Sequence, residues 1–303
     1  MGMGKEMASN YPVARRTFEE ADEALGYKLS ELCFEGPEEK LRLTEITQPA
    51  ILTASVAVWR VLQERGLQPD FVAGHSLGEY SAHVAAGTLT FADAVRTVRN
   101  RGRYMQEAVP VGVGAMAALI GMGIGVGFDQ VGEILKEAAQ GEVCQAANIN
   151  SPEQIVISGH AGAVNRAMKL ASARGAKKAV SLPVSAPFHC SLMQPAQDRL
   201  ARDLRALSFQ DPLCPVVSNV DAAVVDSADA ARDALIRQVT GTVRWEPSVR
   251  LLINKGASLF IEVGPGKVLW GLMRQIDRSK TCVTVGDPAS LQKTLEQIAA
   301  MAA

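Results

Sequence analysis

A short serine-containing turn joins a predicted strand to a predicted helix, and it constrains the fold of this chain more than any other feature. The apolar run Asp70–Gly74 predicts a buried strand, and Leu77–Ala86 predicts a helix. Between them, Gly74-His75-Ser76-Leu77-Gly78 matches the pattern G-x-S-x-G. A serine on such a sharp turn exposes its Oγ, and flanking glycines leave room for the strained backbone. This setting indicates an α/β protein in which Ser76 is a nucleophile.

The same turn predicts where negative charge would be stabilised when a serine attacks a carbonyl carbon. The helix N-terminus directs backbone N–H groups outward, and the N–H of Leu77 would donate to the oxyanion. The alternative is a chance G-x-S-x-G in an ordinary turn, and the flanking strand and helix favour the catalytic interpretation over it.

A serine nucleophile needs a base within hydrogen-bond reach, and the four histidines of the chain limit the choice. His75 adjoins the serine, His83 lies two helical turns and about 10 Å further on, and His160 begins a predicted helix in another part of the chain. His189 therefore remains as the expected base. No acidic residue at a strand end is an evident partner for it, so its orienting group stays open.

From residue 111 onward the sequence changes to short strands and helices in alternation. A glycine-rich segment, 111–127, predicts a hinge and a strand, and the β-α-β-β-α-β order that follows is that of a ferredoxin-like unit. The predicted elements are Ala115–Ile120, Phe128–Gln140, Val143–Ala147, Gln154–Ser158, Ala161–Gly175 and Ala179–Val184. We expect a small domain, 111–184, inserted into a large domain formed by 1–110 and 185–303.

The large domain is also predicted to mix strands and helices, which is typical of α/β proteins. Predicted helices are 4–25 with a break near Tyr11, Gln48–Arg65, Phe91–Ala108, Leu192–Leu207, Ala228–Val239, Pro247–Lys255 and Val268–Ile276. Predicted strands are Pro215–Val220, Leu259–Val263 and Cys282–Val285. Because the serine precedes the histidine in the chain, we expect a hydrolase-like large domain with a mostly parallel sheet.

Charge and cysteine content exclude several classes of protein. Lys and Arg total 31 and Asp and Glu total 32, so no excess of positive charge supports a nucleic-acid partner or a polybasic membrane patch. No apolar run approaches the roughly 18 residues of a membrane helix. Five scattered cysteines without C-x-x-C spacing indicate neither a metal site nor a disulfide framework, which favours a cytoplasmic location.

Two glycine motifs resemble cofactor sites but stand in the wrong context. Residues 112–117 fit G-x-G-x-x-A, yet a helix precedes them and a strand follows, the reverse of a dinucleotide-binding turn. Gly264-Pro265-Gly266-Lys267 lacks the first glycine of a phosphate-binding loop. We therefore expect no bound cofactor.

Four arginines, Arg96, Arg99, Arg101 and Arg103, lie on the helix that follows the serine's helix. A solvated basic face explains any one of them. A buried arginine beside the nucleophile would instead bind an anionic acyl group through paired hydrogen bonds.

Taken together, four ordered motifs resemble the malonyl-CoA:acyl-carrier-protein transacylases of fatty acid biosynthesis. They are Gly74–Tyr80, Arg101–Gln106, Pro183–His189 and Glu262–Gly266, and polyketide-synthase acyltransferase domains share them. The resemblance implies that malonyl-CoA and an acyl carrier protein are the partners, and that Ser76 carries the acyl group between them.

The resemblance also implies roles for residues that the motif reasoning left open. His189 would be the base, held by the main-chain carbonyl of Gln238, and Arg101 would pair with the malonyl carboxylate. Phe188, just before the histidine, favours malonyl over methylmalonyl groups. For docking of the acidic carrier protein, we expect a basic surface on the small domain, formed by Arg166, Lys169, Arg174, Lys177 and Lys178.

At the N-terminus the chain departs from the family pattern. Members begin with a strand and F-P-G-Q-G-S-Q before the Gly-Met that here is Gly2-Met3, and that glutamine completes their oxyanion hole. We expect that the natural start lies upstream and that Met1 occupies an internal position. Three alternatives stay open at this point: a polyketide-type acyltransferase, a serine esterase, and a truncated scaffold that binds the carrier protein without catalysis.

Overall fold

A computed structural model describes residues 1–121, 127–184 and 186–302. In it, helices form most of the first 110 residues and alternate with short strands afterwards. The helices are α1 Lys5–Asn10, α2 Pro12–Leu25, α3 Leu29–Glu35, α4 Glu38–Leu41, α5 Thr44–Glu64, α6 Gly78–Ala85, α7 Phe91–Glu107, α8 Gly127–Ala139, α9 Ala161–Ala173, α10 Gln194–Ala206, α11 Ala228–Arg237, α12 Trp245–Asn254, α13 Val268–Ile276 and α14 Pro288–Ala302. The glycine-rich residues 122–126 of the expected hinge and Ser185 lie outside the described residues.

The strands form three separate sheets within the described parts of the chain. They are β1 Val72–Ala73, β2 Gly114–Ile120, β3 Cys144–Ser151, β4 Gln154–His160, β5 Lys178–Ser181, β6 Val216–Val217, β7 Val224–Val225, β8 Leu259–Val263 and β9 Thr281–Val285. Their orders are β1-β6-β7, β3-β4-β2-β5 and β8-β9.

The expected mostly parallel sheet is present only in pieces, which corrects that prediction. Strand β1 runs parallel to β6, and β8 parallel to β9, but β7 is antiparallel to β6 and the two parallel pairs are not joined. Strand β1 is two residues long because the chain turns sharply at Gly74, directly after it. The pairing that surrounds the serine is therefore short.

The four-stranded sheet is antiparallel throughout and carries helices α8 and α9 on one face. Because side chains alternate along a strand, Ala117 and Leu119 of β2 point into the core under these helices. Met116 and Ala118 point to the opposite face, where Phe188 from the second large segment packs against them. This sheet therefore has a core of its own on one side and contacts the rest of the molecule with the other.

Helices α2, α5 and α7 pack together around the largest core, which also includes Leu77 and Tyr80 next to the serine. Helix α5 begins at Thr44, four residues before the predicted start at Gln48, and it contains Pro49 in its interior. Proline is best tolerated in the first turn of a helix, so its place further inside this helix is unusual. The short helices α3 and α4 and the strand β7 were not predicted.

A strand-like connection joins the four-stranded sheet to the second large segment. The N–H of Val243 donates to Ala147 O at 2.8 Å, and the N–H of Ile149 donates to Val243 O at 2.9 Å. The hydroxyl of Thr242 donates to Ala146 O at 2.7 Å. These bonds extend the sheet past its edge strand β3 and fix its position beside the serine turn.

All five cysteines are free thiols. Within the described residues, no helix is long and apolar enough to cross a bilayer, and no group of His, Cys, Asp or Glu side chains could hold a metal ion.

Candidate active site

The turn between β1 and α6 has the strained geometry that a serine nucleophile requires. Ser76 has a φ of 51°, in the left-handed region that side-chain-bearing residues rarely adopt. A Cβ on Gly74 would lie 1.9 Å from the carbonyl oxygen of Gly78, so only glycine fits at the first position of the motif. At Gly78 a Cβ would meet nothing within 4 Å.

His189 lies directly against the serine hydroxyl. Its Nε2 is 2.7 Å from Ser76 Oγ, and its Nδ1 is 2.9 Å from the main-chain oxygen of Gln238. A carbonyl oxygen can only accept, so Nδ1 carries the proton and Nε2 presents its lone pair to the hydroxyl. A main-chain carbonyl thus holds the imidazole in the position where an acidic residue is usual.

The environment of His189 favours the neutral imidazole. Burial and, to a lesser extent, the nearby positive charge of Arg101 together lower the pKa of His189 to about 3. Only 4% of the residue is exposed. A neutral imidazole is the form that can accept a proton from Ser76, so this pair is ready for nucleophilic attack across the neutral pH range.

Arg101 from α7 reaches the same hydroxyl from the other side. Its Nη2 donates to Ser76 Oγ and to Gln238 Oε1, both at 3.0 Å, and its Nη1 donates to Gln48 Oε1 at 2.7 Å. The residue is 2% exposed, and all three hydrogen-bond acceptors are neutral. A buried cation without a carboxylate partner is costly, so this guanidinium is suited to bind an anionic ligand beside the nucleophile.

Two amide side chains hold the backbone of the nucleophile. Asn219 accepts from the N–H of Ser76 at 2.6 Å and donates to the oxygen of Gly74 at 2.7 Å. Gln238 donates through Nε2 to the oxygen of Ser76 at 2.8 Å. Since the strained conformation of Ser76 is stable only if its surroundings determine it, these bonds maintain the turn.

Sequence reasoning missed Asn219, Gln48 and Glu79. Asn219 follows β6, the parallel neighbour of β1, so its proximity to the serine depends on a strand pairing that the sequence does not display. Gln48 lies on the second turn of α5 and carries no motif. Glu79 was visible as the residue after G-H-S-L-G, and an acidic residue on the first turn of a buried helix is the signal that could have identified it.

Glu79 is a carboxyl buried under the turn. Its Oε2 accepts from Gln238 Nε2 at 2.7 Å and from the N–H of Asn219 at 3.2 Å. Burial raises the pKa of Glu79 to about 7, against the opposing effect of these hydrogen bonds and of Arg101.

The other three histidines lie away from the hydroxyl of Ser76. His75 Nε2 pairs with Asn150 Oδ1 at 2.8 Å, and its ring packs against Trp245. His160 accepts from the N–H of Val143 at 2.9 Å through Nδ1. Both ring nitrogens of His83 are buried without a hydrogen-bond partner in the described structure, and burial lowers its pKa to about 4.

The remaining predicted site residues flank the nucleophile and the base. Leu77 follows the nucleophile immediately before α6 and is 9% exposed. Phe188 precedes the base, is half-buried, and packs between the large core and the four-stranded sheet.

The expected basic docking surface is largely neutralised. Arg166 pairs with Glu142 at 2.6 Å, Arg174 pairs with Glu137, and Lys177 lies 3.8 Å from Glu153. The other two basic residues, Lys169 and Lys178, form no ion pair with any described side chain.

Comparison with known proteins shows one family over nearly the whole chain. The family model described as an acyl transferase domain matches residues 1–299. The malonyl CoA-acyl carrier protein transacylase of Salmonella typhimurium is 50% identical over 298 residues, which are 98% of this chain and 95% of that protein. The Bacillus subtilis protein of the same name is 49% identical over 298 residues, covering 98% of this chain and 93% of that protein.

Solved structures give the same result. An acyl carrier protein S-malonyltransferase from Vibrio cholerae has a TM-score of 0.94 at 48% identity and covers 97% of this chain and 95% of that one. A malonyl-transacylase in complex with a type II polyketide-synthase acyl-carrier protein has a TM-score of 0.94 at 47% identity, with 98% and 95% covered. The chain therefore belongs to the acyl transferase family and, within it, to the malonyl CoA-acyl carrier protein transacylases.

Proposed function

We propose that this chain transfers a malonyl group from malonyl-CoA to the phosphopantetheine thiol of an acyl carrier protein, in fatty acid biosynthesis. The observation that carries the proposal is the position of Ser76 Oγ, 2.7 Å from His189 Nε2 and 3.0 Å from the buried guanidinium of Arg101. A base and a site for a carboxylate thus meet at one nucleophile.

In the first half of the reaction, Ser76 Oγ attacks the thioester carbonyl carbon. His189 Nε2 takes the hydroxyl proton as the O–C bond forms, and Gln238 O stabilises the resulting imidazolium through Nδ1. The C–S bond then breaks, and the imidazolium returns the proton to the departing coenzyme A sulfur. The result is a malonyl ester of Ser76.

The oxyanion of the tetrahedral intermediate lies, in this proposal, at the N-terminus of α6. Leu77 is the residue after the nucleophile, and its backbone N–H would donate to the oxyanion. The aligned dipoles of the helix would add to this stabilisation.

In the second half, the carrier-protein thiol replaces coenzyme A. His189 Nε2 removes the thiol proton, the sulfur attacks the ester carbonyl, and Ser76 Oγ recovers its proton as the O–C bond breaks. One base serves both halves, because each transfers a proton between an oxygen and a sulfur on the same face of the acyl group. That the chain binds no cofactor stays a prediction from the sequence.

Arg101 would select the acyl group by binding its free carboxylate. Its present acceptors, Gln48, Gln238 and Ser76, are neutral, so an ionised carboxylate is a stronger partner than any of them. The positive charge is already buried, and the malonyl carboxylate would neutralise it. Phe188, beside the base, would limit the room at the acyl carbon and favour malonyl over methylmalonyl groups.

We also propose the domain division expected from the sequence. Residues 111–184 would form a ferredoxin-like domain, supported by the strand order β3-β4-β2-β5 and by its own core under α8 and α9. Residues 1–110 and 185–303 would form a hydrolase-like domain around β1, α6 and β6. A cytoplasmic location stays a prediction from the sequence.

Intact-mass measurement after incubation with malonyl-CoA, without an acceptor, tests the proposed function. We expect a malonyl adduct on the wild type and none on Ser76→Ala. An adduct that persists in Ser76→Ala, or its absence from a folded wild type, would overturn the assignment.

A second measurement distinguishes malonyl transfer from general esterase activity. Arg101→Ala should abolish formation of the malonyl adduct and leave acylation by an uncharged thioester within a few-fold of wild type. Equal activity of Arg101→Ala and wild type on both substrates would favour the esterase.

A further inference from the structure

The carboxyl of Glu79 has no part in the proton transfers described above, although it lies under the nucleophile and is completely buried. Its Oε2 receives two hydrogen bonds, from the side chain of Gln238 and from the backbone of Asn219. Its Oε1 has no hydrogen-bond partner in the described structure. Burial of a carboxyl group is costly, so its retention at this position calls for a function.

The hydrogen bonds of Gln238 are consistent with only one orientation of its amide. Its Nε2 donates to Glu79 Oε2 and to Ser76 O, and its Oε1 accepts from Arg101 Nη2. A flipped amide would direct its NH₂ group at the guanidinium and its oxygen at the carboxyl oxygen and the carbonyl. A guanidinium only donates, so the flip would break the bond to Arg101.

We propose that Glu79 is a positioning residue that fixes the amide of Gln238 and, through it, holds Arg101 for recognition of the acyl carboxylate. The inference rests on the proposed function, because it concerns the carboxylate of the same substrate. The hydrogen-bond acceptor is the essential property of Glu79, since Oε2 alone makes both contacts.

The structure offers a matched pair of variants to test this inference. In Glu79→Gln, the amide oxygen can replace Oε2 and the NH₂ group can occupy the place of Oε1, which has no partner. Glu79→Leu has a similar volume and removes the acceptor. Glu79→Asp keeps the charge but withdraws the carboxylate from Gln238, and it serves if the leucine variant fails to fold.

The experiment measures the affinities of malonyl-CoA and acetyl-CoA by calorimetry, with every variant built on Ser76→Ala so that no acyl group is transferred. The ratio of the Kd of acetyl-CoA to the Kd of malonyl-CoA reports recognition of the carboxylate, because it is large when the carboxylate is bound. We expect Glu79→Leu and Glu79→Asp to lower this ratio at least tenfold, and Glu79→Gln to stay within threefold of the parent. If the role of Glu79 is purely structural, its variants should weaken the binding of both ligands equally and leave the ratio unchanged.

The outcomes separate this inference from the proposed function. An unchanged ratio in the folded leucine or aspartate variant would overturn the role of Glu79 and leave the proposed function intact. The same conclusion would follow if the glutamine variant lost as much preference for malonyl-CoA as the leucine variant. If the parent itself shows no preference for malonyl-CoA, and the wild type forms no malonyl adduct, the proposed function falls first.

Discussion

His189 and Arg101 influence each other through their charges as well as through Ser76. Both are buried within hydrogen-bond distance of the same Oγ, and the positive charge of Arg101 adds to the effect of burial in lowering the pKa of His189. A substrate carboxylate bound to Arg101 would neutralise this charge. The imidazole would then become a stronger base when the correct acyl group is bound.

This coupling predicts a shift of the acid limb of catalysis when the charge of Arg101 is removed. In Arg101→Gln the pKa of His189 rises, so protonation of the base begins at a higher pH than in wild type. The acylation rate with p-nitrophenyl acetate, measured from pH 4 to 8, should therefore decline earlier on acidification. Arg99→Gln, on the same helix but stacked on Tyr27, is the control. If the rate declines at the same pH in both variants and in wild type, the charge of Arg101 does not affect the pKa of His189.

Glu79 predicts a pH dependence of stability with a defined sign. Its pKa is raised from 4.5 to about 7 in the folded chain, so between these values the folded protein binds more protons here than the unfolded one. The contribution of Glu79 to stability is therefore present below pH 4.5 and is lost as the pH rises to 7.

Urea unfolding of wild type and Glu79→Gln at several pH values tests this sign. The free energy of unfolding of wild type should fall relative to the variant by up to about 3 kcal/mol between pH 4.5 and 7.5. A constant difference between the two proteins across this range would show that the carboxyl does not titrate there.

At the scale of elements, the turn between β1 and α6 shows how differently two glycines of one motif are constrained. Gly74 is enclosed by the backbone of Gly78, whereas a side chain on Gly78 would meet open space. The bonds from Asn219 and Gln238 then hold Ser76 at its positive φ. The turn thus depends on one close backbone approach and two amide side chains.

We expect the same substitution to alanine to have very different effects on stability at Gly74 and at Gly78. Gly74→Ala places a Cβ 1.9 Å from a backbone oxygen that cannot move freely, and we expect a loss of roughly 3 kcal/mol in the free energy of unfolding. Gly78→Ala adds a methyl group in open space at the start of a helix and should leave stability unchanged or slightly higher. Thermal unfolding of both variants checks this expectation, and equal destabilisation would refute the steric argument.

At the scale of the whole molecule, the four-stranded sheet is attached to the second large segment by backbone hydrogen bonds. Residues 242 and 243 extend the sheet beyond β3, and Asn150 on that strand binds His75 next to the nucleophile. The position of the small sheet is therefore linked to the geometry of the serine turn.

Proline at position 243 should release this connection. Val243→Pro removes the N–H that binds Ala147 O. We expect faster amide hydrogen exchange at Ile149, which donates to residue 243, and unchanged protection at Ile157 inside the sheet. Slower acylation of Ser76 should accompany the change. Retained protection at Ile149 would show that the sheet is held by other contacts.

The sequence by itself determined the elements that depend on local chemistry. The G-x-S-x-G turn, the strands and helices of the four-stranded sheet, and most helix boundaries follow from glycine sterics, hydrophobic period and capping, which act between neighbours in the chain. The choice of His189 as a candidate base followed by elimination among four histidines. These features could be predicted because each is encoded within a few residues.

Only the tertiary structure decided what surrounds the nucleophile. Asn219 and Gln48 reach it because β6 pairs with β1 and α5 packs against α7, and Asn219 lies 143 residues from Ser76 in the chain. The division of the parallel strands into two sheets and the pairing of basic surface residues with acids also arise from such contacts. Long-range packing is set by the sum of many weak interactions, and no single stretch of sequence contains it.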